Sequence, residues 1–300
     1  MKQILVLRGG ALGDFLVTLP FLRALRHAWP TARIELVGNA RGGGLAVLEG
    51  TIDAVYAQSD SQWSSLYAEQ PLPEILRNEL ERFDLVVSFW PDPDHELSRH
   101  FPLRESQRFV TGSSQVSTRP AAGHFFRALP ELAFQAEFLL RPLALPLAVQ
   151  KESQQRLPPT STPYIALHPG SGGAQKNWPI DRWCALTEKL LPTPLLVILG
   201  EADLALKSSF QRYASTPLRF AENWPLPLLA ATLARCRYFI GHDTGVSHLA
   251  AAVGTPSLLL FGPTDPSIWA PPGPHVRVLK IGEQMATLTL EHVLAALPTS

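Results

Sequence analysis

Residues 236–266 read CRYFIGHDTGVSHLAAAVGTPSLLLFGPTDP. YFIG and SLLLF are short, fully apolar runs, and GVSHLAAAVG between them is a helix of small residues. Apolar runs of this length bounded by turn residues are strands buried on both faces, which belong in a parallel sheet. The unit is therefore strand, turn, helix, strand. A parallel crossover leaves the polar turn, Asp243-Thr244-Gly245, at the carboxyl end of the first strand.

The same alternation extends in both directions. After residue 163, YIALHPG, PLLVILGE, LRFAEN and VRVLKI read as strands, and IDRWCALTEKLL, DLALKSSFQRYA, PLPLLAATLARC and TLEHVLAALP as helices. Near the start, QILVLRG, ARIELVGN, AVYAQ and DLVVSFW read as strands. ALGDFLVTLPFLRALRHAWP, GGLAVLEG and PEILRNELERF lie between them as helices, with Leu16, Leu19, Leu22 and Leu25 on one face. QRFVTG is a further candidate strand, and GHFFRALPELAFQAEFLLRPL reads as helical, interrupted at Pro130. VQKESQQRLPPTSTP is polar and proline-rich and reads as a linker. The expectation is α/β: two doubly wound parallel-sheet units, residues 1–150 and 151–300, whose ligands sit outside the carboxyl ends of the strands.

At 300 residues, 46% hydrophobic and 17% charged, the chain has the composition of a globular protein of two ordinary domains. Lys+Arg and Asp+Glu both number 26. That balance argues against nucleic acid as a partner, because phosphate backbones select for surplus positive charge. Cys184 and Cys236 each lie in an apolar segment and read as two buried free thiols rather than a disulfide. MKQILVLRGGALGD is a first strand and not a signal peptide, and no apolar run approaches membrane-spanning length. The sequence reads as cytoplasmic.

Four segments carry candidate chemistry. RGGALGD (8–14) has the last two glycines of a dinucleotide fingerprint, but Arg8 stands where the first would be. The second strand ends at Asn39 where a ribose-binding acid would be wanted, which argues against a nicotinamide site. Asp14 is either a helix N-terminal acid favoured by the macrodipole or a carboxylate able to accept a proton. In LHPGSGGAQKNWP (167–179), three glycines let backbone N–H groups approach an anion, Ser171 adds a hydroxyl and Lys176 a charge. In the opening stretch, Asp243 can cap the following helix, whose N-terminus suits an anion, or contact a sugar hydroxyl. His248 is either a structural residue of that helix or a member of the site. FGPTDP (261–266) returns to the same edge. WPDPDHE (90–96) offers Asp92 and Asp94, a D-x-D pair that suits an acceptor-facing loop better than a metal. A basic run follows, from Arg99 through Arg104, Arg108, Arg119 and His124 to Arg127: a solvated surface, or a contact for an anionic acceptor.

ALGDFLVTLP, HPGSGGAQKNWP and HDTGVSHLAAAVGTPSLLLFGPTDP, in that order, resemble the heptosyltransferase family of glycosyltransferases (family 9) across nearly the whole chain. The resemblance implies a GT-B fold, two Rossmann-like domains facing across a cleft, with an acceptor-binding first domain and a donor-binding second one. The last helix would then pack back on the first domain. It implies inverting, metal-independent transfer of heptose from ADP-heptose to a lipopolysaccharide-core acceptor, with no cofactor. Asp14 falls on the family's proposed catalytic base and Lys176 on its diphosphate-binding lysine. Asp243, Thr244, Gly245 and His248 fall on the element around the donor, and Ser171 with Gly172 on its phosphate loop. Trp224 falls where the family contacts adenine. The acceptor region matches no particular family member, and Asp92, Asp94, Arg119 and His124 are acceptor candidates on the reading of the residues alone. Peripheral contact with the inner membrane stays open. The alternative is a sugar-nucleotide binding protein on the same scaffold without transfer activity.

Overall fold

The computed structural model describes residues 1–68, 70–127, 132, 140–157 and 159–298. The chain divides into two compact units, Met1–Leu139 and Leu140–Ser300.

The first unit runs β1 (Gln3–Arg8), α1 (Leu12–Ala28), β2 (Arg33–Gly38), α2 (Ala40–Glu49), β3 (Ala54–Ala57), α3 (Glu74–Leu80), β4 (Leu85–Ser88), α4 (Glu96–His100), β5 (Arg108–Thr111) and α5 (Ala121–Arg127). Its five strands lie in the order β3-β2-β1-β4-β5, and every pairing is parallel. Ile4, Leu5, Val6 and Leu7 of β1 are all buried, as a central strand covered on both faces requires. The helix α1 is buried from Phe15 to Leu25, broader than the leucine stripe alone. Burial on that scale, about 1.5–3 kcal/mol for each large apolar side chain, carries it past Pro20 despite the lost backbone donor.

The second unit runs α6 (Leu147–Arg156), β6 (Ile165–His168), α7 (Ile180–Leu190), β7 (Leu195–Leu199), β8 (Leu218–Glu222), α8 (Leu226–Leu233), β9 (Tyr238–His242), α9 (Gly245–Ala252), β10 (Ser257–Phe261), α10 (Pro266–Trp269), β11 (Val276–Lys280) and α11 (Leu290–Ala296). Its six strands, also all parallel, lie in the order β11-β10-β9-β6-β7-β8.

The chain builds each sheet outward on one side and then returns beside the first strand. The switch point is between β1 and β4 in the first unit and between β6 and β9 in the second. Loops flanking a switch point diverge and leave room for a ligand. In the second unit those two loops are the glycine-rich loop after His168 and the Asp243-Thr244 turn.

Several expectations need correction. The expected linker is half helix: α6 packs on α8, where Ser153 Oγ lies 3.0 Å from Thr232 Oγ1 and Arg235 Nη1 donates to Ser153 at 3.0 Å. Those tertiary bonds order a polar sequence that local composition does not mark as helical. DLALKSSFQRYA (203–214), expected as a helix, lies in a segment that winds in tighter 3-10 turns over Glu201–Tyr213, with the Ser208 hydroxyl donating to Ala205 O. The helical expectation for 123–143 holds as far as Arg127. Residues 128–131 and 133–139 lie outside the described residues, and 140–143 are not helical. The apolar face of α11, Val293 and Ala296, joins the core of the second unit beside α7.

Candidate functional site

The second unit's site grows from the ends of β6 and β9. Gly170 opens the glycine loop. A Cβ there would lie 1.9 Å from Oδ1 of the buried Asp203, so the loop passes where only glycine fits. Ser171 closes the next turn on itself, its Oγ donating to Gly173 O at 2.7 Å and accepting from Gly173 N at 3.3 Å. A short 3-10 turn, Ala174–Lys176, then carries Lys176 toward β9. Its Nζ donates to Asp243 Oδ2 at 2.8 Å.

The cap of α9 is the residue after Asp243. Asp243 was a candidate for that cap, but its carboxylate is engaged by Lys176. Thr244, one residue nearer and in extended backbone, is the N-cap, its side chain accepting from Ser247 N–H at 3.3 Å. Gly245 begins the helix, and the first backbone bond runs from His248 N–H to Thr244 O at 3.1 Å. Apart from Ser247 N–H, which the Thr244 side chain takes, the N–H groups before it have no backbone acceptor within the helix, which leaves partial positive charge at this end. His248 is buried in the same helix. Lys176, Asp243, Thr244 and the Ser171–Gly173 turn thus gather at the carboxyl edge of one sheet. FGPTDP meets that edge: Pro263 lines an open hollow of about 460 Å³ together with Gln175, Asn177 and Pro179.

Trp224 stands after Asn223, whose φ is +51°. The ring is half-buried, and the Arg156 guanidinium lies 5.6 Å from its centroid.

In the first unit, both carboxylate oxygens of Asp14 are held. Oδ2 accepts from Ala11 N–H at 2.9 Å and Oδ1 from Arg8 Nη2 at 3.3 Å. Arg8 is 8% exposed. It lies over the Phe125 ring at 4.4 Å and donates to Thr18 Oγ1 at 3.1 Å. Burial pulls the Arg8 pKa down, opposed by the Asp14 charge and hydrogen bond. Sequence reading missed this partner; the signal was an arginine standing where a fingerprint glycine belongs.

The acceptor candidates do not converge as expected. Asp92 takes up the first turn of α4, with Oδ1 accepting from Leu97 N–H at 3.0 Å and Oδ2 from Ser98 N–H at 3.1 Å. It is a capping carboxylate, because a nearby helix start offers it two donors. Asp94 is exposed, and its carbonyl accepts from Arg99 Nη2. His124 is buried and pinned, Nε2 3.1 Å from Ser113 O and Nδ1 3.4 Å from Ser117 N, so its ring belongs to the packing of α5. Arg119 is exposed just before α5.

Among the described residues, no group of three or more His, Cys, Asp or Glu is placed to hold a metal ion. Among them also, no helix is long and apolar enough to cross a membrane.

Comparison with known proteins agrees with this architecture. The family model for glycosyltransferase family 9 (heptosyltransferase) matches residues 129–295. Lipopolysaccharide heptosyltransferase 3 of Escherichia coli is 31% identical over 287 residues, covering 86% of this chain and 83% of that protein. A glycosyltransferase family 9 structure from Veillonella parvula superposes with a TM-score of 0.81 at 21% identity, covering 98% of this chain and 96% of that one. The E. coli heptosyltransferase WaaC with ADP-2-deoxy-2-fluoro heptose superposes with a TM-score of 0.73 at 18% identity, covering 98% of each chain. The two parallel-sheet units are those of a GT-B fold, and the chain belongs to glycosyltransferase family 9, the heptosyltransferases.

Proposed function

We propose that this enzyme transfers heptose from ADP-heptose to a hydroxyl of a lipopolysaccharide-core acceptor, with inversion and without a metal ion. The observation that carries the reading is the Lys176–Asp243–Thr244 cluster at the start of α9. An ammonium has three donors, and Asp243 takes one of them, which orients the other two toward a diphosphate. The α9 N-terminus adds N–H groups on the same side. ADP as the nucleotide and lipopolysaccharide as the acceptor are supported by the relatives: WaaC is described with an ADP-heptose analogue, and the E. coli relative is a lipopolysaccharide heptosyltransferase.

In the proposed step the acceptor oxygen attacks the anomeric carbon as the bond from that carbon to the diphosphate oxygen breaks. The bonding pair leaves with ADP, where Lys176 and the α9 end stabilise the growing negative charge. The acceptor proton goes to Asp14, whose carboxylate Arg8 and Ala11 hold in one orientation. Asp243 is assigned to the sugar hydroxyls and Trp224 to the base. Asp94 and Arg119 are retained as acceptor contacts. The work belongs at the cytoplasmic face of the inner membrane.

The test is direct. Purified protein is incubated with ADP-heptose and a lipopolysaccharide acceptor truncated before heptose, in the presence of EDTA. Acceptor mass gain, ADP release and the anomeric configuration of the product are followed. Stoichiometric transfer with inversion is expected. Retention, a requirement for added metal, or ADP binding without transfer to any acceptor would overturn the corresponding part.

A further inference from the structure

His242 is the last residue of β9 and is fully buried. Its ring reaches back across the sheet to β6's loop and touches that loop twice. Nδ1 lies 3.2 Å from Gly170 O, and Nε2 accepts from Trp178 N–H at 2.9 Å. A carbonyl can only accept and an amide N–H can only donate. The two contacts therefore define one neutral tautomer, with the proton on Nδ1. Burial pushes the His242 pKa down to about 3, which keeps the ring in this form across the working pH range. The Trp183 ring packs edge-on at 5.3 Å and holds the imidazole plane. The His242 carbonyl accepts from Ser247 Oγ in the first turn of α9.

One side chain thus joins the first and last residues of the 170–178 loop, and its backbone joins that strand to the helix whose N-terminus faces the same edge. Between Gly170 and Trp178 lie Ser171 and Lys176. The pairing of Lys176 with Asp243, the residue after His242, makes the same strand end responsible for the position of the lysine.

We infer that His242 is a positioning residue for the nucleotide diphosphate: its imidazole closes the glycine loop and sets where Lys176 stands. This rests on the nucleotide-site reading proposed above.

Three substitutions separate the two bonds. His242→Asn places an amide near Nδ1 and can keep the Gly170 bond. His242→Gln places a carbonyl near Nε2 and can keep the Trp178 bond. His242→Leu keeps neither. Trp178 N–H is buried beside the loop, so losing its acceptor is the costlier loss. ADP affinity by calorimetry should weaken at least tenfold in His242→Leu, less in His242→Asn and least in His242→Gln. The Michaelis constant for ADP-heptose should rise in the same order, with a smaller change in kcat. Melting temperature and circular dichroism are recorded for each variant. Variants that melt earlier yet bind ADP within twofold of wild type would overturn the inference and leave His242 a packing residue. If His242→Leu does not fold, the Asn and Gln variants decide: equal, wild-type affinity in both would overturn the inference. Should Lys176→Ala weaken ADP binding while no His242 variant does, this inference alone fails. Should wild-type protein take up no ADP, the nucleotide reading fails and this inference with it.

Discussion

The Asp203 carboxylate occupies the space that a side chain at Gly170 would need: a Cβ there would come 1.9 Å from its Oδ1. Two residues on, among the described residues, nothing lies within 4 Å of a Cβ built at Gly172. The two glycines therefore differ in kind. Gly170→Ala should destabilise the protein by about 1–3 kcal/mol through overpacking and weaken ADP binding by displacing the loop. Gly172→Ala should change stability by less than about 0.5 kcal/mol. Thermal melts and ADP titrations of the two variants, run side by side, check this.

Asp14 and Arg8 form a pair in which the carboxylate is held at both oxygens. If Asp14 is the base, Asp14→Asn keeps the fold and the nucleotide site but cannot take a proton. Turnover should fall by about 10²–10⁴, with ADP affinity within about twofold of wild type. Steady-state kinetics beside calorimetry separates the two effects. Full turnover in Asp14→Asn would remove it from the reaction.

How much of this could be read from the sequence depended on where the information lay. The strands were legible because parallel strands buried on both faces are nearly continuous apolar runs, as QILVLR and LLVIL are. The carboxyl edge of the second sheet was legible for the same reason: the parallel topology puts every strand's following loop at one end. What escaped depends on partners distant in sequence. The polar stretch at α6 is ordered by Thr232 and Arg235, 79 and 82 positions beyond Ser153, tertiary contacts that override local propensity. Asp243 looked like a cap until Lys176, 67 positions earlier, was seen to claim it. His124 and Asp92 were marked by residue type as acceptor groups, yet neighbouring backbone uses both. His242 carried no local signal, because its two partners belong to another loop.

Glu35 is buried on β2 between Arg82 and Arg33. Burial alone would raise its pKa, but hydrogen bonds from Arg82 and Arg33 outweigh that and hold it below the ordinary glutamate value. A carboxyl with a lowered folded-state pKa stabilises the fold above its unfolded pKa, and that stability is lost as pH falls through the folded value. Urea midpoints should be insensitive to this group from neutral pH down to the ordinary glutamate range and decline below it. Glu35→Gln should be less stable at neutral pH and should lose that part of the acid dependence. An unchanged acid limb in Glu35→Gln would contradict the assignment.

Cys184 and Cys236 are free and buried, as the sequence suggested. Burial raises both thiol pKa values, that of Cys236 to about 12. Neither forms much thiolate at neutral pH. Native protein should react slowly with a thiol reagent, and both groups should titrate rapidly in denaturant. Rapid labelling of the native chain would show that α7, which carries Cys184, or the connection between α8 and β9, which carries Cys236, opens.

The proposed function depends on the glycine loop and the α9 N-terminus forming a diphosphate site around Lys176. Calorimetric titration with ADP, UDP and GDP, on wild type and Lys176→Ala, tests it most directly. The account predicts one ADP bound per chain in preference to the other nucleotides, with affinity at least about tenfold weaker in Lys176→Ala, as loss of a charge-assisted contact implies. Equal ADP affinity in the two proteins, or no binding to either, would contradict it.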